Sequence, residues 1–339
     1  MTTHAAKHAR YAYRGPVPHE VIKTVEFTLP PLQPGEARVA VLAAPVNPSD
    51  ILTLTGEYGL LPPLPAVGGN EGVGRVEEIA GEPNGLEVGD LVLLPVGCGT
   101  WSTHLHLPVK ALVPLPHDVD PVQLSMLTVN PPTALLMLSE FVELQPGDWV
   151  IQNAANSAVG GYLSQLAKRR GINVINVVRR ESAVEAVWAA GGEHVLVDAE
   201  DLPKRVRDAV GEVHVRLAVD CVGGVHTEHL ARCLAAGGTL VNYGSMSGER
   251  CMISPRYFVF NDITLRGFWL SQWFKRAPAE RRRSVFAELA GLVADGTLHA
   301  RVQDHYGIDH VADAVRAAHA GARSGKIIIE PNGPPRAAI

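Results

Sequence analysis

The sequence predicts an α/β protein built from two parts. Residues up to about 120 read as short strands between Pro- and Gly-rich turns, the signature of a compact β barrel or a mixed barrel. From about Asp148 onward, apolar strand-sized runs alternate with helical stretches. That rhythm means a doubly wound parallel sheet covered on both faces. A length of 339 residues is enough for two such cores.

In the first part, "EARVAVLAAPV", "GVGRVEEIAG" and "DLVLLPVG" read as strands. The opening "MTTHAAKHARYAYRG" is basic without acids, which gives it a faint transit-peptide look. It passes within a few residues into a strand-like run, "EVIKTVEFTL", so a cytoplasmic protein is expected. In the second part "DWVIQNAA" is an apolar strand. "VGGYLSQLAKRRG" is a helix with Leu163, Leu166 and Ala167 on one side and Gly171 as its stop. "INVINVV", "HVLVD", "VRLAVDCV" and "GTLVNYG" follow as strands separated by helices. "ITLRGFWL" is strand-like, "AERRRSVFAELAGLVADG" is helical, and "SGKIIIE" is one more strand.

Composition narrows the function. Apolar residues make up 46% and charged residues 19%, which is globular composition. A net charge of −5 favours neither nucleic acid nor an anionic membrane as partner. No apolar run approaches the length of a bilayer span. Four cysteines, Cys98, Cys221, Cys233 and Cys251, have no paired spacing, which fits free thiols in a reducing compartment.

The chemistry begins at "NAANSAVGG", which joins a strand to a helix where a dinucleotide-binding turn would stand. Its Gly-x-Gly-x-x-Gly pattern is degraded: Ala155, Ser157 and Gly160 occupy the three glycine positions. Small residues let backbone approach a pyrophosphate, and the Ser157 hydroxyl is able to donate to it. A helix N-terminus adds free N–H groups and partial positive charge. An ordinary tight turn is the competing reading of the motif taken alone. The next strand end adds weight. Nineteen residues past Gly160 stands Arg179, followed by Arg180, where an acid would read a ribose 2′-hydroxyl. Guanidiniums there suit a 2′-phosphate instead. The expected cofactor is therefore NADPH rather than NADH.

The stretches "NPSD", "GEYG", "GNEG", "VNPPTA", "LQPGDWVIQNAANSAVGG", "INVVRR" and "FWLSQW" together strongly resemble the medium-chain dehydrogenase/reductase superfamily. Within it the chain looks most like the zinc-free 2-enoyl thioester reductases, the mitochondrial-type enoyl-CoA or enoyl-acyl-carrier-protein reductases. The resemblance implies a GroES-like β-barrel catalytic domain, residues 1–124 and 267–339, and an inserted Rossmann NADP(H)-binding domain, 125–266. It implies a catalytic role for Tyr58 in "GEYG". It places Asn130 near the cofactor, and Asn156, Ser157, Ala158, Val159 and Gly160 in the pyrophosphate loop. Arg179 becomes the 2′-phosphate reader, with Arg180 after it. Tyr243, Gly244, Ser245, Met246, Phe268, Trp269 and Leu270 match segments flanking the nicotinamide, and Lys326 falls in the same set near the chain end. Two departures are mild: Ser245 stands where glycine is common, and Arg180 where a relative carries an acid.

Alcohol dehydrogenases of this superfamily bind a catalytic zinc through cysteine, histidine and a further cysteine or acid. Here "NPSD" holds no cysteine, and Asn70 in "GNEG" stands at the histidine position, so no metal role is expected for these residues. Glu71 reads as structural. Two other histidine pairs, His104 with His106 and His226 with His229, offer two ligands each, with no third partner visible in sequence. Without a metal the site needs another way to handle negative charge. Hydride attack on the β-carbon of an unsaturated thioester moves electron density to the thioester oxygen, and the α-carbon must take a proton. A neutral phenol within reach serves that purpose, and Tyr58 is the candidate.

The leading expectation is thus NADPH-dependent reduction of a 2-enoyl thioester, carried by coenzyme A or by acyl-carrier protein. The alternative is a zinc-independent NADPH:quinone oxidoreductase. A nucleotide-sensing binding protein is a third reading, opposed by the intact Tyr58 and cofactor constellation. A basic patch at "RAPAERRR" would suit an acidic carrier protein, although it also reads as a solvated helix start. In this superfamily the late Rossmann strands, here "TLVNYGS" and "ITLRGF", often pair across a two-fold axis, so a homodimer is expected.

Overall fold

The structure, a computed structural model, describes residues 4–321 and 323–334. It divides into two units: Met1–Val129 with Ala290–Gly296 and Arg301–Ile339, and Asn130–Leu289 with Thr297–Ala300.

The first unit is organised by the strand Glu36–Val46. Its residues alternate in burial over most of its length, with Ala37, Val39, Val41 and Ala43 fully inside. It pairs antiparallel with Val73–Ile79, with His104–Pro108 and with the last strand, Lys326–Ile329. Leu91–Leu93 and Val113–Pro114 extend this seven-stranded sheet at one end and Val302–Tyr306 at the other. Val39, Val41, Val76, Val92, Leu94 and Leu107 fill the space beneath it. A three-stranded sheet pairs His4–Tyr11 with Ile22–Leu29 and Ala66–Val67. The basic opening stretch is therefore a strand, with Ala6, Ala9 and Tyr11 turned inward.

The second unit is a six-stranded parallel sheet. Its order is Val195–Val197, Asn173–Val178, Trp149–Gln152, Val215–Asp220, Thr239–Asn242 and Thr264–Gly267. The chain leaves the sheet's first strand in sequence, Trp149–Gln152, toward one edge and later returns to its other side. Those two neighbours, Trp149–Gln152 and Val215–Asp220, mark the topological switch point where such sheets bind ligands. The core of Ile151, Ile175, Val177, Ala218 and Leu240 is covered by Leu202, Val206, Leu230 and Leu234.

Two expectations need adjustment, and one helix had no reading in the sequence. The division expected at 124/125 and 266/267 falls at Val129/Asn130 and, later, at Leu289/Ala290. Residues 267–289 stay with the parallel sheet because Phe268 meets Phe141 edge-on at 5.9 Å and Arg281 pairs with Glu140 at 3.2 Å. "ITLRGFWL" is not one strand: pairing stops at Gly267, and Leu270–Arg276 is a helix. "NPPTALLM" forms the helix Asn130–Met137, buried along its whole length, with prolines in the first turn where their missing N–H costs nothing. No helix among the described residues is long and apolar enough to cross a membrane.

Candidate active site

The candidate tyrosine is held by the end of a short helix. Asn47 begins the helix Pro48–Thr55 in extended backbone, and its N–H donates to Asp50 Oδ2 at 2.8 Å. Gly56 ends it with φ of +91°, a left-handed turn that suits glycine. Beyond that turn the N–H groups of Gly56, Glu57 and Tyr58 converge on the Leu52 carbonyl at 3.0, 2.8 and 3.1 Å. Arg14 reaches over the same loop, donating to the carbonyls of Thr53 and Pro62. Tyr58 is half-buried on this pinned turn. Nothing in the sequence signalled the part played by Arg14, more than forty residues upstream.

Beneath the start of this helix lies a buried polar cluster. Asn70 Nδ2 donates to Asp50 Oδ1 at 2.7 Å, and Asn47 Nδ2 donates to Glu71 Oε1 at 2.7 Å. Glu71 Oε2 accepts the N–H groups of Thr128 and Val129 at 3.0 and 2.9 Å. This is the structural role expected for Glu71. Burial raises Asp50 to about 7 and Glu71 to about 6, and burial lowers Lys326 to about 8. Lys326 is buried among these groups, its ammonium on Asn47 Oδ1 and the Val46 carbonyl. Glu71 and Asp50 both favour its charged form, and these contacts are where the structure places the residue that the resemblance set near the cofactor. Asn70 offers a bonded amide nitrogen where a histidine would stand, and no thiolate is near it in sequence. Nor do His104 and His106 belong to any group of three metal-ligating side chains among the described residues.

In the second unit the predicted cofactor residues collect at the carboxyl ends of the parallel strands. The loop after Gln152 carries Asn156 and leads into the helix Ala158–Arg169, capped by Ser157, whose Oγ accepts the Gly160 N–H at 3.1 Å. A Cβ on Gly160 would lie 2.6 Å from the Ala155 oxygen, so only glycine fits. Val159 is buried; Ala158, like Asn156 and Ser157, is half-exposed. Arg179 and Arg180 are exposed immediately after the strand Asn173–Val178. Tyr243 follows the strand Thr239–Asn242, and burial pushes its hydroxyl well above the ordinary range, with Cys221 and Ser157 beside it. Gly244 is required because a Cβ there would sit 2.8 Å from Cys221 Sγ. Ser245 and Met246 are exposed, and the Met246 N–H is fixed on the Cys221 carbonyl at 3.0 Å. Phe268, Trp269 and Leu270 are half-buried where the edge strand passes into a helix, and the Phe268 N–H holds the Asn242 carbonyl at 2.9 Å. Asn130 is buried at the start of its helix.

Two residues that sequence reading passed over organise this edge. Asp220, fully buried, accepts at Oδ1 from Asn153 Nδ2 and the N–H groups of Val222 and Gly223, at 2.6, 2.9 and 3.1 Å. At Oδ2 it accepts from Thr227 and Asn242, at 2.7 and 3.1 Å. It thereby shapes the turn at Gly223 and Gly224, both with positive φ. Gln152 Nε2 ties the first helix down through the Gly160 carbonyl, Ser164 and Asn176, at 2.9, 3.1 and 2.7 Å. An acid at the end of an apolar strand was the available signal for Asp220; only the fold reveals its five donors. Cys98, Cys221 and Cys233 stay protonated at neutral pH, since burial raises Cys98 and Cys233 to about 12 and Cys221 to about 11.

These features fit a dinucleotide. The glycine-only approach at Gly160, the helix N-terminus behind Ser157 and the exposed guanidinium of Arg179 provide space, N–H groups and positive charge. A barrel joined to such a sheet is the architecture of a medium-chain dehydrogenase/reductase. Residues 33–117 match the alcohol dehydrogenase GroES-like domain family, and residues 158–295 match the zinc-binding dehydrogenase family. The human mitochondrial enoyl-[acyl-carrier-protein] reductase is 40% identical over 296 residues, covering 86% of this chain and 79% of its own. A solved complex of Etr1p with NADP and crotonyl-CoA is 28% identical, with a TM-score of 0.86 over 96% of this chain and 100% of the other. A Bacillus thuringiensis structure described as an NADPH:quinone reductase is 26% identical, also with a TM-score of 0.86, over 96% of this chain and 99% of the other. The chain belongs to the mitochondrial-type enoyl-[acyl-carrier-protein] reductase family of the medium-chain dehydrogenase/reductase superfamily.

Proposed function

We propose that the protein reduces the C2=C3 double bond of 2-enoyl thioesters with NADPH, and that Tyr58 supplies the proton. The observation that carries the reading is the tyrosine itself: in a chain of this family, its loop is fixed by three N–H groups on one carbonyl. A backbone held in this way presents its side chain from a fixed position. NADPH, when bound, contributes a hydride to the β-carbon. Asn156, Ser157, Ala158, Val159 and Gly160 hold its pyrophosphate, Arg179 with Arg180 holds the 2′-phosphate, and Tyr243–Met246 and Phe268–Leu270 flank the nicotinamide. Tyr58 donates its hydroxyl proton toward the α-carbon and stabilises charge on the thioester oxygen by hydrogen bonding.

Tyr58→Phe tests this. Turnover of crotonyl-CoA should fall about 10²–10⁴-fold, the usual contribution of a positioned general acid, while NADPH affinity by fluorescence titration stays within a factor of two or three. Retained crotonyl-CoA turnover, with benzoquinone reduced equally well by both proteins, would favour the quinone reductase reading instead.

The active form is proposed to be a homodimer formed along the edge strand Thr264–Gly267. Every residue of that strand is exposed, and Val259 and Phe260 beside it are 70% and 79% exposed. Leu265→Arg together with Phe260→Lys should halve the mass found by light scattering. Acyl-carrier protein as the natural thioester carrier would be supported by the basic start of the helix Ala279–Ala294, where Arg282 and Arg283 are exposed. A reducing, cytoplasmic location is supported by the four free cysteines.

A further inference from the structure

Outside the proposed chemistry, Asp198, His226 and His229 are the one group of three metal-ligating side chains found among the described residues. The sequence offered His226 and His229 as a pair without a third partner. The fold supplies it from 28 positions earlier in the chain. Asp198 follows the strand Val195–Val197, and its N–H is fixed on the Val178 carbonyl at 2.8 Å. The two histidines lie three apart on the helix Val225–Ala231 and so share a face. His229 Nδ1 is 2.8 Å from Asp198 Oδ1, and His226 Nδ1 is in short contact with Oδ2. One ligand atom from each residue falls within a 4.8 Å sphere of separations. The rings meet edge-on with centroids 5.9 Å apart, and both Nδ1 atoms face the one carboxylate.

The surroundings hold this geometry in place. Thr227, between the histidines, is locked on Asp220 Oδ2 at 2.7 Å, and Cys233 Sγ bonds the His229 carbonyl at 3.3 Å. The Asp198 side chain is 4% exposed, that of His229 10% and that of His226 27%. Two ligands are therefore rigid and inside, and the third opens to solvent. Two imidazole nitrogens and one carboxylate oxygen form a donor set suited to zinc and its neighbours, not to calcium or magnesium, which take oxygen shells. Without a cation the two rings clasp the one carboxylate, His229 at Oδ1 and His226 at Oδ2.

We propose that Asp198, His226 and His229 form a binding site for a zinc-class divalent cation, with water completing a tetrahedral shell. The site belongs to the second unit alone and has no residue in common with the positions where alcohol dehydrogenases hold their catalytic metal. Its cation joins the segment after Val197 to the first turns of the helix at Val225. Since Asp198 is anchored on Val178, it also lies next to the strand end that carries Arg179.

The test uses tag-free, full-length protein treated with EDTA and desalted, then titrated with Zn²⁺ in equilibrium dialysis with elemental analysis. One Zn²⁺ per chain is expected with a dissociation constant below about 10 µM, together with a raised thermal unfolding midpoint. Co²⁺ should give the visible absorption of a tetrahedral N/O site. His226→Gln and Asp198→Asn should each weaken Zn²⁺ at least 10-fold, whereas crotonyl-CoA turnover by His226→Gln without added metal should match the parent. No binding by the parent below about 100 µM would overturn the proposal. So would equal affinity in the parent and in a His226→Gln, His229→Gln double variant.

Discussion

Asp220 gives the strongest test of how the cofactor edge is held. Replacing it with alanine removes one carboxylate and leaves five donors, from Asn153, Val222, Gly223, Thr227 and Asn242, without their acceptor. An unmade hydrogen bond at a buried donor costs about 1–3 kcal/mol. Water can enter the space left by the side chain, so the low end applies, and five donors give about 5 kcal/mol. For a unit of this size about 2–4 °C of Tm follows each kcal/mol, so Asp220→Ala should unfold about 10–20 °C earlier. Asp220→Asn keeps shape and one acceptor but turns a donor toward other donors, and an intermediate loss of about 2 kcal/mol is expected. Circular dichroism melts of the three proteins measure this. NADPH titration should show at least a 10-fold weaker Kd for the alanine variant, because the turn at Gly223 and Gly224 loses its template. An alanine variant melting within 2 °C of the parent would refute the reasoning, since the donors would then be satisfied elsewhere.

Other outcomes follow from the same geometry. Arg179→Ala should raise KM for NADPH about 10–100-fold, the value of one or two charge-assisted hydrogen bonds, with KM for NADH moved less than about 3-fold. Equal losses with both nucleotides in steady-state assays would remove Arg179 from the 2′-phosphate. Asp50 has its pKa raised by burial from 3.8 to about 7, so the folded state holds its proton more tightly than the unfolded state. Its contribution to stability is therefore fully present below pH 3.8 and is lost as pH rises through about 7. Asp50→Asn, measured by urea unfolding between pH 4 and 7.5, should gain on the parent as pH rises, and a flat difference would contradict that burial.

What the sequence disclosed, and what it withheld, divides along physical lines. The parallel strands were legible because strands buried on both faces must be apolar throughout, as "INVINVV" and "VRLAVD" are. Gly160 was legible because no other residue fits beside Ala155. The strand His4–Tyr11 was not, since its inward residues are mostly alanines set among basic side chains, which carry little hydrophobic contrast. Asn130–Met137 was hidden by two prolines that its first turn accommodates. Lys326 was assigned to the cofactor through resemblance, yet its partner Asn47 lies 279 positions away, a pairing that only topology creates. The same holds for Asp198 with His226 and His229. Tyr58 was conspicuous in a glycine-bounded loop, but the convergence of three amides on Leu52 required coordinates.

The last strand has a consequence for how the molecule is made. Lys326–Ile329 pairs with the strand Glu36–Val46 and brings an ammonium group to two enclosed acids. A ribosome delivers that strand some 280 residues after the segment it completes. The parallel-sheet unit is nearly continuous in sequence and has all its strands by Gly267. The first unit is therefore closed by contacts of long sequence separation, whereas the parallel sheet is assembled from segments that follow one another in the chain.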